Sequence, residues 1–123
     1  MKERYYVANP LDWSYKVATA TEWARQFGTL ERHIADDRLD GWGWREVVWI
    51  EPVRISTVWL GLDHNWRESG PPHLFETIIF GGPCAQDQDR YENIAFARQG
   101  HERLCRRASL ARWIGGRLAR WLS

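Results

Sequence analysis

The chain is poor in the features that announce an activity. It has only two cysteines, Cys84 and Cys105. Their spacing makes neither a paired metal motif nor a disulfide framework, so free thiols in a reducing, cytoplasmic setting are expected. There is no HExxH and no His-x-His, and no metal ligand is assigned on that ground. Gly81-Gly82 is followed by no Lys-Ser/Thr and opens no helix, which excludes a phosphate loop. Ser56, Ser69 and Cys84 lie in no G-x-S-x-G and have no identifiable base. No apolar run reaches membrane-spanning length, and no leader segment is read at the start. Repeats and low-complexity linkers are missing as well. The sequence therefore assigns no catalytic residue, no metal and no cofactor, and it leans away from an enzyme.

What is present fits one globular domain. At 123 residues, 44% hydrophobic and 27% charged, the chain can bury a core and has no disordered signature. Nine tryptophans are spread along it, more indoles than one small core easily buries with every N–H paired, so some are expected at an interface. Charge is uneven. Residues 1–99 hold 11 Lys/Arg against 15 Asp/Glu, whereas residues 100–123 hold six Arg against Glu102 alone. The body is mildly acidic and the tail basic.

Taken in order, Glu3 to Ala8 reads as a strand closed by the Asn9-Pro10 turn. Thr19 and Glu22 have capping-box spacing, which starts a helix over 20–27 whose Trp23 and Phe27 share a face, with Gly28 as its stop. Leu30 to Ala35 alternates as a half-exposed strand, Asp36 to Gly43 reads as a turn, and Glu46 to Ile50 as another strand. Two apolar runs, about 53–62 and 73–80, form the central hairpin, and Arg90-Tyr91-Glu92 makes a short edge strand. From Asn93, an N-cap, the chain is helical to its end. Ile94, Ala97, His101, Leu104 and Ala108 make one apolar stripe, which then rotates to Leu110, Trp113, Ile114, Leu118, Trp121 and Leu122. The fold class is α+β: a small antiparallel sheet built on that hairpin, with a short N-terminal helix and a long C-terminal one. Residues 1–108 form the domain. Residues 109–123 are a basic amphipathic extension of the last helix.

Three stretches hold candidate binding residues. The hairpin loop carries Asp63, His64, Asn65, Trp66 and Arg67. With His73 and Glu76 it could make an acid–base or ligand site, the enzymatic alternative. Asp and Asn there are equally at home as turn residues that bond nearby backbone. Glu76 on an apolar strand is expected either to face solvent or to be buried against Arg54 or Arg32. Trp42 and Trp44 mark a second patch. In the tail, Arg112, Trp113, Arg117, Arg120 and Trp121 suit an acidic protein groove, a membrane surface or a nucleic-acid backbone. Folding back on the domain and homodimerisation through the C-terminal helix are the alternatives for the same face.

The hairpin also resembles a known pattern. Ser56 to His64 (STVWLGLDH), Gly70 to Pro72, Phe75 to Thr77, Phe80 to Gly82, Tyr91 and Gly100-His101 are similar to a family of small uncharacterised phage, prophage and bacterial proteins. Arg32 to Ala35 resembles an upstream segment of the same family, and the likeness spans roughly residues 30–105. The 36–50 segment is longer here, with three added tryptophans, and the basic tail extends beyond the usual end. The resemblance implies a phage or mobile-element setting and a host-cell cytoplasmic location. It also implies a non-catalytic accessory role, binding a host protein or ribonucleoprotein complex, with an anti-CRISPR-like inhibitor of host defence as its concrete form.

Overall fold

A computed structural model describes residues 4–39, 52–67 and 69–122, with residues 111–122 as helical backbone only. The elements are β1 (Tyr6–Ala8), β2 (Tyr15–Val17), α1 (Ala20–Phe27), β3 (His33–Leu39), β4 (Val53–Trp59), β5 (Phe75–Phe80), β6 (Gln88–Tyr91) and α2 (Ile94–Leu122). β3-β4-β5-β6 is an antiparallel four-stranded sheet in chain order, and β1-β2 is a separate hairpin. The α+β class and the central hairpin are as expected. The strand read over Glu46–Ile50 and the Trp42–Trp44 patch lie outside the described residues.

The sheet's two faces follow from its register. Ile55 pairs with Ile79, Thr57 with Thr77 and Trp59 with Phe75. Val53, Ile55, Thr57, Trp59, Phe75, Thr77 and Ile79 are all at most 2% exposed. This is the face that α2 covers. On the opposite face Arg54 is bonded to Asp36 at 2.8 and 2.9 Å, and Arg90 to Glu76 at 2.8 Å, cross-strand pairs of the kind that support a wetter surface. Glu76 is thus buried and paired, but with Arg90 on the neighbouring strand. Arg54 is engaged by Asp36, and Arg32 lies 4.0 Å from the centre of the Phe27 ring.

In the N-terminal half one reading is corrected, one strand is added and one helix end is refined. β3 starts at His33, with a bulge between His33 and Ala35, and runs through Asp36–Leu39, which the sequence reads as a turn. The two aspartates tolerate a strand there because each has a partner: Asp36 takes Arg54 and Asp37 takes His101. β2 is too short to show a period. It exists because Trp13, at φ 61°, reverses the chain, with Asn9 N–H donating to the Ser14 carbonyl at 2.7 Å. Finally, α1 has the expected span and capping box, with Glu22 N–H donating to Thr19 Oγ1 and Thr19 N–H to Glu22 Oε1. It ends on Gly28 in a right-handed conformation, so carbonyls of its last turn are met by Gly28, Thr29 and Leu30 amides instead of a left-handed glycine cap.

β1 and α1 close the end of the sheet. Tyr6 N–H donates to the Gly61 carbonyl at 2.8 Å, and Asp63 N–H to the Arg4 carbonyl at 2.8 Å. Trp23 Nε1–H donates to the Leu60 carbonyl at 3.0 Å. A side chain at Gly61 would collide with that indole, since a Cβ there would lie 2.7 Å from Trp23 Nε1, and φ is +70°. The Gln26 amide clamps the β1 backbone, accepting from Ala8 N–H at 2.9 Å and donating to its carbonyl at 2.7 Å.

α2 packs through the predicted stripe. Asn93 caps it, its Oδ1 accepting from Phe96 N–H, and Ala97, His101, Leu104 and Ala108 are buried. Two apolar clusters form beneath it. Trp59, Leu74, Phe75, Tyr91 and Ala97 gather with β1 residues at one end. Val53, Ile55, Ile79, Cys84, Leu104 and Ala108 gather at the other. Among the described residues, no helix is long and apolar enough to cross a membrane.

Candidate functional site

The hairpin loop is organised by its own polar side chains. Asp63 is 3% exposed, and its Oδ1 accepts from Asn65 N–H at 2.7 Å and His73 N–H at 2.9 Å. Asn65 Nδ2 donates to the Pro71 carbonyl and its Oδ1 accepts from Arg67 N–H. His64 Nδ1 meets the Leu62 carbonyl at 2.7 Å. These are turn-forming bonds, and they account for the Asp and Asn at these positions. Glu76 is drawn away to Arg90, so the acid–base set of Asp63, His64, His73 and Glu76 does not converge. Trp66 is the exception, 74% exposed with the Arg4 guanidinium 4.9 Å from its ring centre.

Asp63 should therefore matter to stability. Asp63→Ala strands two partly buried amide donors and is expected to cost about 2–4 kcal/mol. Asp63→Asn keeps the Oδ1 acceptor and should cost less than half as much in urea denaturation.

The densest polar constellation lies elsewhere, between the two apolar clusters. The hydroxyls of Thr57 and Thr77 touch across the β4–β5 pair. Thr57 Oγ1 is 2.6 Å from His101 Nδ1, and His101 Nε2 is 2.6 Å from Asp37 Oδ2. A neutral imidazole protonated on Nε2 satisfies every group: Thr77 donates to Thr57, Thr57 to Nδ1, and Nε2–H to the carboxylate. Cys105, one turn along α2 from His101, brings Sγ to 3.6 Å from Asp37 Oδ2. The line is sealed at the threonines and opens at β3, where the Asp37 side chain is 61% exposed.

Thr, His and Asp in series have the composition of a nucleophilic triad, but this one cannot act as such. Thr57 and Thr77 are fully buried beneath α2, so neither hydroxyl can meet a substrate. The chemistry is confined to the outlet, where Asp37, His101 and Cys105 place a carboxylate oxygen, an imidazole nitrogen and a sulfur within 4.8 Å of one another. Burial and the Asp37 carboxylate push the Cys105 thiol up to about 11. Since the thiolate is the nucleophile, iodoacetamide should alkylate Cys105 of EDTA-treated protein at pH 8 roughly 100-fold more slowly than an unperturbed cysteine. Peptide mapping by mass spectrometry measures that rate.

The basic tail is partly committed. Arg103 bonds Asp89 at 2.7 Å and Arg107 bonds Asp87 at 3.2 Å, tying α2 to β6 and to the residue just before it. Arg112, Trp113, Arg117, Arg120 and Trp121 all fall on the helical backbone of α2. The sequence misses the polar line because Asp37 lies 64 residues from His101. A signal exists all the same: a histidine on an apolar helical stripe needs a buried partner, and the facing hairpin strands both carry threonine. Comparisons with protein-family models, curated proteins and solved structures find no match.

Proposed function

We propose that this chain is a non-catalytic binding protein that acts by contacting a macromolecular partner. One observation carries the reading: the backbone of α2 runs on well past the last of its described residues that is buried. Among the residues whose burial is described, Ala108 is the last of the stripe to be buried and Leu110 is 59% exposed, and the helical backbone continues to Leu122, roughly 20 Å further at the usual rise. That segment carries Arg112, Arg117 and Arg120 with Trp113 and Trp121, residue types enriched at interface hot spots. The engagement of Asp63 and Asn65 with nearby backbone supports a non-catalytic reading of the loop. Because Arg103 and Arg107 are already paired with acids of the body, a protein or ribonucleoprotein surface fits the tail better than a long phosphate track. The resemblance to phage-encoded chains makes inhibition of a host defence complex, in the manner of an anti-CRISPR, the concrete form.

The test compares full-length protein with a chain ending at Leu110. In bacteria with an active CRISPR system, the full chain should restore phage plating and co-purify stoichiometrically with a component of that system. The shortened chain should fold with an unchanged melting temperature and do neither. Full activity of the shortened chain contradicts the reading, as does failure of the intact protein. Steeply salt-dependent DNA or RNA retention in place of a protein partner also overturns it.

A further inference from the structure

We propose that Asp37, His101 and Cys105 form a binding site for a zinc-class transition-metal ion, which clips α2 to the edge of the sheet. This goes beyond the partner-binding reading and stands without it. The three donors come from two elements. His101 and Cys105 lie at i and i+4 on one face of α2, and Asp37 faces them from β3, with all three ligand atoms within 4.8 Å. An imidazole, a sulfur and a carboxylate suit zinc or cobalt and disfavour magnesium and calcium, which prefer all-oxygen shells.

The histidine is held as ligating histidines are held. It is 4% exposed, and its Nδ1 is engaged by Thr57 at 2.6 Å, leaving Nε2 aimed at the outlet. Cys105 Sγ and Asp37 Oδ2 are already 3.6 Å apart, about the separation of two donors around a tetrahedral zinc. The 2.6 Å contact between Asp37 Oδ2 and His101 Nε2 is a hydrogen bond and must open by somewhat under an ångström. Asp37 can make that movement because its side chain is largely in solvent.

The protons balance. On binding, the Nε2 proton is replaced by one on Nδ1, which donates to Thr57, the Thr57 hydroxyl turns to Thr77, and the Thr77 hydroxyl turns to the Tyr91 phenol oxygen. The Cys105 thiol gives up its proton to water, so one proton is released per ion. Three protein donors leave a fourth position for water or for a donor from a partner.

Cobalt(II) titration of the full-length protein tests this directly. The expected result is one equivalent bound, with a thiolate-to-cobalt charge-transfer band that zinc abolishes by displacement. Cys105→Ser, at a partly exposed position whose loss leaves the fold intact, should remove the band and the zinc-dependent rise in melting temperature. Asp37→Asn should weaken binding at least tenfold. Absence of the band at saturating cobalt, its survival in Cys105→Ser, or unchanged affinity in Asp37→Asn overturns the proposal.

Discussion

Replacing Gly100 by alanine is expected to lower the melting temperature by about 10 °C, an effect of about 2–3 kcal/mol. Alanine is normally the better helix residue by about 1 kcal/mol, so the sign of this prediction is set by packing alone. A Cβ at position 100 would overlap both the Cζ and the hydroxyl oxygen of Tyr91. Tyr91 cannot retreat, because it is 6% exposed and its ring is part of the cluster with Trp59 and Phe75. Either α2 lifts off the sheet or the ring is expelled from the core. Combining Gly100→Ala with Tyr91→Leu should cost less than the sum of the two single changes, because the second removes the obstacle to the first. Additive costs would mean that the helix accommodates the methyl group in some other way.

The second large effect belongs to His101. His101→Ala should cost about 3–4 kcal/mol, the sum of a buried cavity and an orphaned threonine hydroxyl. That is a large fraction of the stability of a domain this size. Thr57→Val removes the bond while keeping the volume, and should cost about 2 kcal/mol, because Nδ1 is then left buried and unpaired. These values follow from the position of the line between two apolar clusters. Sliding α2 by one turn would bring Leu104 or Ala97 over the threonines and leave His101 in an apolar cluster. The polar contacts thus select one register of helix on sheet, where apolar packing alone discriminates weakly.

Much of this fold is legible in the sequence. The apolar runs around Ile55 and Ile79 can only be inner strands, Thr19 with Glu22 marks the start of α1, and the spacing of Ala97, His101, Leu104 and Ala108 marks the buried face of α2. What is not legible depends on partners distant in the chain. Asp36 and Asp37 look like turn residues until Arg54 and His101 are placed beside them. Glu76 on an apolar strand reads equally as solvent-facing or as buried against Arg54 or Arg32, and its actual partner, Arg90, is set by the register of β5 with β6. The candidate site is less legible than the fold. Asp63 and Asn65 look reactive because the side chains that build turns are also those that catalyse. Cys105 stands only four residues after His101, but Asp37, which completes the cluster, lies 64 residues from that histidine. The motif residues of the hairpin and the last helix have a physical use here. Thr57, Thr77, Tyr91, Gly100 and His101 meet at the helix–sheet interface, and Asp63 with Gly70 to Pro72 shapes the loop.

The central claim is that the Thr77–Thr57–His101–Asp37 line tethers α2 to the sheet. A double-mutant cycle with Thr57→Val and His101→Leu, read by urea denaturation, tests it most directly. The expected coupling energy is about 1–2 kcal/mol, with the double variant more stable than the sum of the single losses, because neither partner is then left alone in the core. Losses that add to within about 0.3 kcal/mol would contradict the claim, since residues that hold each other cannot fail independently.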